Sequence, residues 1–168
     1  YNTYELIRNM DFNNVNVDLI FGLPDQRLDD TMETLEKIVD LNVEHISYYS
    51  LILEENTLMN RWFNEGKTSF PSEDLERDMY HNGISFLQSK GYDHYEISNF
   101  AKEGSRCKHN LFYWKLKPYI GFGIAAHSNL DHKRFWNFDK FKDYYSSLKD
   151  RRFPILGEET IDKEMEIA

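Results

Sequence analysis

Residues 108–114 read KHNLFYW, a His-Asn pair followed within one residue by three aromatics, with Lys108 and Lys115 on either side. A neutral imidazole such as that of His109 is a good axial ligand for haem iron. The rings of Phe112, Tyr113 and Trp114 could stack on a flat porphyrin. The same residues also suit a buried turn of an aromatic core around a hydrogen-bonded histidine, and the stretch alone leaves both open. Asp18 is the second candidate. It sits inside the apolar run NVDLIFGLP (16–24), where an unpaired carboxylate would be costly, and it could hold the hydroxyls of a ribose. The plain alternative is a strand and its tight turn. The other groups are weaker. Gly121-Phe122-Gly123 lacks the third glycine and the following helix of a phosphate loop. His45, His81 and His94 stand alone and read as surface or core-edge residues. Cys107 and His109 could share a metal only awkwardly, while His127 and His132 lie on the apolar GFGIAAH segment and just beyond it. Lys108, Lys115, Lys117, Lys133 and Arg134 form a local basic cluster that would suit anionic propionates, a partner protein or plain solvent.

These groups need elements to place them. Tyr4, Leu6, Ile7 and Met10 suggest the end of a helix. NVDLIFGLP predicts a buried strand stopped by Gly22 and Pro24. In RLDDTMETLEKIVDLNV (27–43), Leu28, Met32, Leu35, Ile38 and Leu41 recur at spacings of three and four, the mark of an amphipathic helix. EHISYYSLIL (44–53) is the next strand. Strand, helix, strand with short connections is the grammar of a parallel sheet, and two near-continuous apolar strands predict cover on both faces. A short helix over 57–67 ends at Gly66. A long one over 71–92 takes Ser72 as N-cap and Gly91 just past its end. Residues 93–101 read as one strand. Residues 119–130 read as a strand or loop whose two glycines let something approach the backbone closely. A helix over 138–150 is expected to turn Phe138, Phe141, Tyr144, Tyr145 and Leu148 inward, and a last helix is expected from about Ile161. The class is α/β, part of a barrel or of an open doubly wound sheet.

The chain's 168 residues suit one domain. Hydrophobic residues at 40% and aromatics at 15% supply a real core. A formal charge of -9 argues against a general nucleic-acid binder. No apolar run approaches the roughly 20 residues of a membrane span, and no signal peptide opens the sequence. One cysteine excludes an internal disulfide and any site built from this chain's thiolates alone. It also fits a reducing, cytoplasmic setting. Both ends read as lying inside helices, so the chain is expected to be a piece of a longer protein.

Taken together, NVDLIFGLPDQ, EHISYYSL, GYDHYEISNFAKEG, HNLFYW, YIGFGIAAHS and RFWN resemble the oxygen-independent coproporphyrinogen III oxidase family of radical SAM proteins. The likeness covers nearly the whole chain. Within the family it is strongest to the HemW-type haem chaperone branch, because His109, Asn110, Tyr113 and Trp114 match that branch's HNxxYW motif position by position. The resemblance implies the second half of a partial (β/α)6, TIM-like radical SAM barrel with its sheet extension over 1–130. It places the start of a C-terminal region over 131–168. It implies that Asp18 contacts the ribose of S-adenosylmethionine, that Ile52 and His127 line the same cofactor, and that His109 ligates haem beside Asn110, Tyr113 and Trp114. Gln26 matches the family's GLPxQ.

There are two departures. The CxxxCxxC motif that holds the [4Fe-4S] cluster is absent, as is the early Gly-rich cofactor strand. The family also usually carries a small residue or Gly where Asp25 stands. No catalytic residue is therefore expected in this chain, which alone is expected to be inactive in radical chemistry. Expected partners are haem and haem-accepting proteins, a membrane-associated acceptor among them, and no nucleic acid. An open sheet edge would favour self-association. Two rival readings stand beside this one. One is part of a true oxidase that decarboxylates propionates; the other is an α/β piece that binds nothing tightly.

Overall fold

Strands β1 (Asn16–Phe21) and β2 (His45–Ser50) run parallel, joined by helix α2 (Leu28–Asp40), as the strand-helix-strand order predicts. The computed structural model describes residues 1–161. They divide into two units, Tyr1–Cys107 and the residues from Lys108 onward.

In the first unit the sheet order is β1-β2-β4-β3. The single strand expected over 93–101 is instead a hairpin of β3 (Asp93–His94) and β4 (Asn99–Ala101), with β4 antiparallel to β2. The break has a local cause. The Glu96 carboxylate accepts from the Ser98 N–H at 3.1 Å, and such a side-chain turn competes with the ladder. Helices α2 and α4 (Glu73–Ser89) cover one sheet face. Under them Phe21, Leu35, Val43, Ile46, Tyr48, Met79, Leu87, Tyr92 and Phe100 form the core. The Tyr48 hydroxyl donates to the Met79 carbonyl at 2.8 Å, and its ring lies so close to Gly83 that an added Cβ would sit 2.5 Å from it. Tyr92 donates to the Val43 carbonyl at 2.7 Å, and burial pushes its phenol up to about 12. The Ser72 cap falls where expected and accepts from the Leu75 N–H. Thr57, which the sequence reading does not single out, caps α3 (Leu58–Asn64) by accepting from the Asn60 N–H. Gly66 and Gly91 follow their helices at φ +67° and +86°.

The expectation that both sheet faces are covered is not met. β1 alternates, with Val17, Leu19 and Phe21 turned to the core while Asn16, Asp18 and Ile20 are exposed. Asn16 and Asp18 make the first part of that far face polar, and Ile20 beyond them is 45% exposed.

Helix α1 (Asn2–Asn9) is fastened to this sheet by charge. One Arg8 guanidinium nitrogen reaches both Glu44 oxygens, at 2.9 and 2.8 Å, and Glu44 also accepts from the Val15 N–H at 3.0 Å. Burial alone would raise the Glu44 carboxyl. The Val15 N–H and Arg8 outweigh it and hold the group below the usual range. A depressed carboxyl stabilises the fold above its unfolded pKa, near 4.3, and that stability is lost as pH falls through the folded value. Arg8→Ala is therefore expected to cost about 1–2 kcal/mol at pH 7. The difference from wild type should shrink in acid. Urea titrations at pH 7 and pH 3 check this, and an equal difference at both would sink it.

From Lys108 the chain forms α5 (Lys108–Trp114), then β5 (His127–Leu130), β6 (Lys133–Asn137) and β7 (Ile155–Thr160) in an antiparallel meander, with α6 (Phe141–Lys149) between the last two strands. Asp131 and His132 both take positive φ in the β5–β6 turn, as a two-residue hairpin requires. The expected inward stripe on α6 is corrected. Phe141, Tyr145 and Leu148 are exposed and the helix buries Ser147 instead. Tyr144 and Leu148 line an apolar hollow of about 490 Å³ with Phe122, Phe135 and Phe153. The helix expected from Ile161 lies outside the described residues, and Ile161 itself is buried just past β7.

Candidate functional site

Asp18 stands on the sheet face that the helices leave open. Its strand partner is Ser47, whose own partner on β4 is Asn99, so three polar residues form a row across three strands. Two residues earlier on β1, and so on the same open face, Asn16 pairs with His45. Hydrogen bonds join the two rows. Asn16 Nδ2 donates to Asp18 Oδ1 at 2.6 Å and to Ser47 Oγ at 3.2 Å. His45 Nδ1 meets Asn16 Oδ1 at 2.6 Å, and His45 Nε2 meets the Tyr95 hydroxyl at 2.6 Å. The Tyr95 oxygen also accepts from the Cys107 N–H at 3.2 Å. Asn99 Oδ1 is buried with no hydrogen-bond partner among the described residues. Such an acceptor is costly unless something donates to it. Burial, then the Asp18 carboxylate beside it, raises the Tyr49 phenol. The face thus offers an anchored carboxylate and an unsatisfied acceptor. That chemistry suits a ligand rich in O–H and N–H donors, such as a nucleoside.

Ile52 lies two residues past β2 and is 75% exposed. It lines a cleft of about 500 Å³ at the C-terminal ends of β1 and β2, with Phe21, Tyr49, Ser50 and Glu76. Tyr49 thus borders both Asp18 and this cleft. At the same end of β1, Gln26 Oε1 accepts from the Leu23 N–H at 3.1 Å and closes the turn. Asp25 there has φ +58°, a conformation that glycine adopts freely and Asp tolerates.

In the second unit, KHNLFYW is the exposed helix α5 and not a buried turn. Phe112, Tyr113 and Trp114 are 50%, 42% and 54% exposed. The His109 ring meets the edge of Tyr113 with centroids 4.8 Å apart, and Tyr113 meets Tyr119 at 4.7 Å. Tyr119 exchanges two backbone hydrogen bonds with Asn129 of β5, so rings link α5 to the meander. His127 stacks on Trp136, its partner across the hairpin, at 5.8 Å. Lys133 and Arg134 of the basic cluster pair with Glu158 and Glu159 on β7. The carboxylates partly offset the charge of these two members of the cluster.

Sequence reasoning missed Asn16, His45, Ser47, Tyr95 and Asn99. His45 is 5% exposed and sits at the centre of the network. The signal was present as period-two alternation in Asn16-Val17-Asp18 and His45-Ile46-Ser47, which marks a strand with one polar face.

No family model matches the chain. It is 36% identical over 171 residues to the heme chaperone HemW of Bacillus subtilis (strain 168), covering 98% of this chain and 45% of that protein. It is 32% identical over 150 residues to HemW of Mycobacterium tuberculosis (strain ATCC 25618 / H37Rv), covering 89% and 38%. It is 40% identical over 115 residues to HemW of Escherichia coli (strain K12), covering 68% and 29%. The chain therefore spans less than half the length of these curated relatives. Among solved structures, coproporphyrinogen III oxidase (HemN) from Escherichia coli, described as a radical SAM enzyme, matches with a TM-score of 0.71 at 20% identity, over 96% of this chain and 40% of that one. That likeness is one of fold. Identity at this level along almost the entire chain places it in the branch that the HNxxYW residues indicated, and the chain belongs to the HemW family.

Proposed function

We propose that this chain is the haem-receiving portion of a HemW-like haem chaperone and also carries one wall of its S-adenosylmethionine site. The observation that carries the first part is α5. A seven-residue helix holds three large aromatics and an imidazole out to solvent, and exposed rings in one place mark a binding surface. His109 would ligate the haem iron, Phe112 and Tyr113, three and four residues on and so on the same side of α5, would meet the porphyrin face, and Asn110 and Trp114 would flank them. The bound haem is cargo, passed on to haem-accepting proteins in the cytoplasm, a membrane-associated acceptor among them. No helix among the described residues is long and apolar enough to cross a membrane.

For the second part, Asp18 would accept from the ribose hydroxyls, with Ile52 lining the same cofactor. Bound S-adenosylmethionine with a reduced cluster supplies a 5′-deoxyadenosyl radical in this class of protein. The cluster does not fit this chain, whose one cysteine, Cys107, cannot hold a cubane. No radical step is therefore assigned to these residues. The first sheet would form the second half of the partial barrel, with its polar face turned inward.

The test is a haem titration of the chain followed by the Soret band, with iron-free protoporphyrin alongside. Saturable binding of haem, at least about tenfold tighter than of the iron-free ring, is the expected result. Equal, weak uptake of both would overturn the ligation reading.

A further inference from the structure

The open sheet face contains a buried histidine that the assignments above do not use. Asn16 contacts Asp18, Ser47 and His45 through its side chain, and hydrogen-bond direction fixes the Asn16 amide and the His45 ring. The Asp18 carboxylate is acceptor-only, so the Asn16 atom 2.6 Å away must be the amide nitrogen. The reverse orientation would place two acceptors in contact. Asn16 Oδ1 therefore faces His45 Nδ1, which must carry a proton to donate to it. In a neutral ring His45 Nε2 is then an acceptor, and it takes the Tyr95 O–H, while the Tyr95 oxygen takes the Cys107 N–H. All bonds are satisfied in this one arrangement. A doubly protonated ring would turn a second N–H onto the Tyr95 hydroxyl and displace its proton. Burial disfavours that form, although the Glu96 and Asp18 carboxylates nearby oppose the effect.

We propose that His45 is a positioning residue. As the neutral, Nδ1-protonated tautomer it locks the Asn16 amide, and Asn16 in turn aims the Asp18 carboxylate at its ligand. The proposal rests on the reading of Asp18 as the contact to the ribose of S-adenosylmethionine, and it adds a layer behind that contact. Behind metal ligands, outer-layer partners of this kind change affinity about 10–100-fold, and an effect at the low end, about tenfold, is expected here. Asn99 Oδ1, in the row with Asp18, marks where a further donor of the same ligand would be met.

The experiment is calorimetric titration of the full-length protein with S-adenosylmethionine, on wild type, Asp18→Ala, His45→Leu, His45→Asn and His45→Gln. Asn can present an N–H where Nδ1 stands; Gln presents one where Nε2 stands. Asp18→Ala is expected to weaken binding about a hundredfold, through loss of charge-assisted hydrogen bonds. His45→Leu and His45→Gln should weaken it about tenfold, and His45→Asn should restore most of the loss. Rescue by Asn and not by Gln would not follow from a merely structural role. If Asp18→Ala binds as wild type, the ribose reading fails and the proposal falls with it. If Asp18→Ala is weak but His45→Leu is not, only the positioning role is overturned. Nitrogen-15 shifts of the His45 ring in the wild-type protein give an answer independent of any folding defect. The Nδ1–H tautomer supports the proposal, and the Nε2–H tautomer overturns it.

Discussion

Replacing His109 with alanine is expected to weaken haem binding at least about tenfold and to shift the Soret band of what still binds, while leaving the fold nearly untouched. The asymmetry comes from where the side chain stands. His109 is exposed on α5, and its ring contact is the edge of Tyr113, worth about 1 kcal/mol at most at such a site. The thermal midpoint should therefore move by only a few degrees. The iron loses an axial ligand outright, so the Soret maximum should shift and affinity should fall at least about tenfold. Phe112→Ala and Trp114→Ala give the comparison. Each removes aromatic surface but leaves the imidazole, so affinity should drop several-fold with the ligated spectrum retained. If His109→Ala instead binds haem with the wild-type spectrum, another residue ligates the iron. The exposed rings of α5 would then need a different occupant.

The sequence could disclose α5 as a site but not as a helix on the surface. His-Asn followed by aromatics reads equally well as core, because ring residues serve both uses, and exposure depends on neighbours far along the chain. The helices were legible from their stripes and caps. Ser72, Gly66 and Gly91 act through bonds within a few residues, so local chemistry suffices to place them. The β3–β4 hairpin was not, since it depends on Glu96 turning back onto its own backbone and on Tyr95 finding His45 fifty residues away. The open face of the first sheet was half legible. Asp18 stood out as a charge in an apolar run. Asn16, His45 and Ser47 did not, because their meaning lies in the register between two strands. On α6 the spacing of rings was read correctly and its direction wrongly, since a stripe shows that a helix has a face without showing where that face points.

The glycine pair at 121 and 123 was expected to admit a close approach, and the approaching group is the carbonyl of His127. A Cβ on Gly121 would stand 2.1 Å from that oxygen and 3.0 Å from Ala126 Cβ. Neither side can yield cheaply. The Gly121 N–H donates to Ser128 Oγ at 3.0 Å, Ser128 is 1% exposed, and two residues earlier Tyr119 is bound to Asn129 by backbone bonds of 2.8 and 2.9 Å. Gly121→Ala must therefore break part of this ladder, at a cost of about 3 kcal/mol or more. Gly83→Ala meets a side chain instead. Its Cβ would press on the buried Tyr48 ring, costing about 1–3 kcal/mol by overpacking, against about 1 kcal/mol recovered because alanine favours a helix. Gly157→Ala meets the ring of Trp136, which is only partly buried and can move, so its cost should be smaller still. Gly123→Ala has φ +102° and open space around it, leaving backbone strain of about 1–2 kcal/mol. Urea unfolding of the four variants should rank Gly121→Ala as the most destabilised. In the folded population of that variant the His127 imidazole signals should shift, because β5 must give way. A Gly121→Ala midpoint at or above that of Gly123→Ala would show that the loop relaxes without disturbing β5. His127 would then owe its place to β5–β6 pairing and to stacking on Trp136.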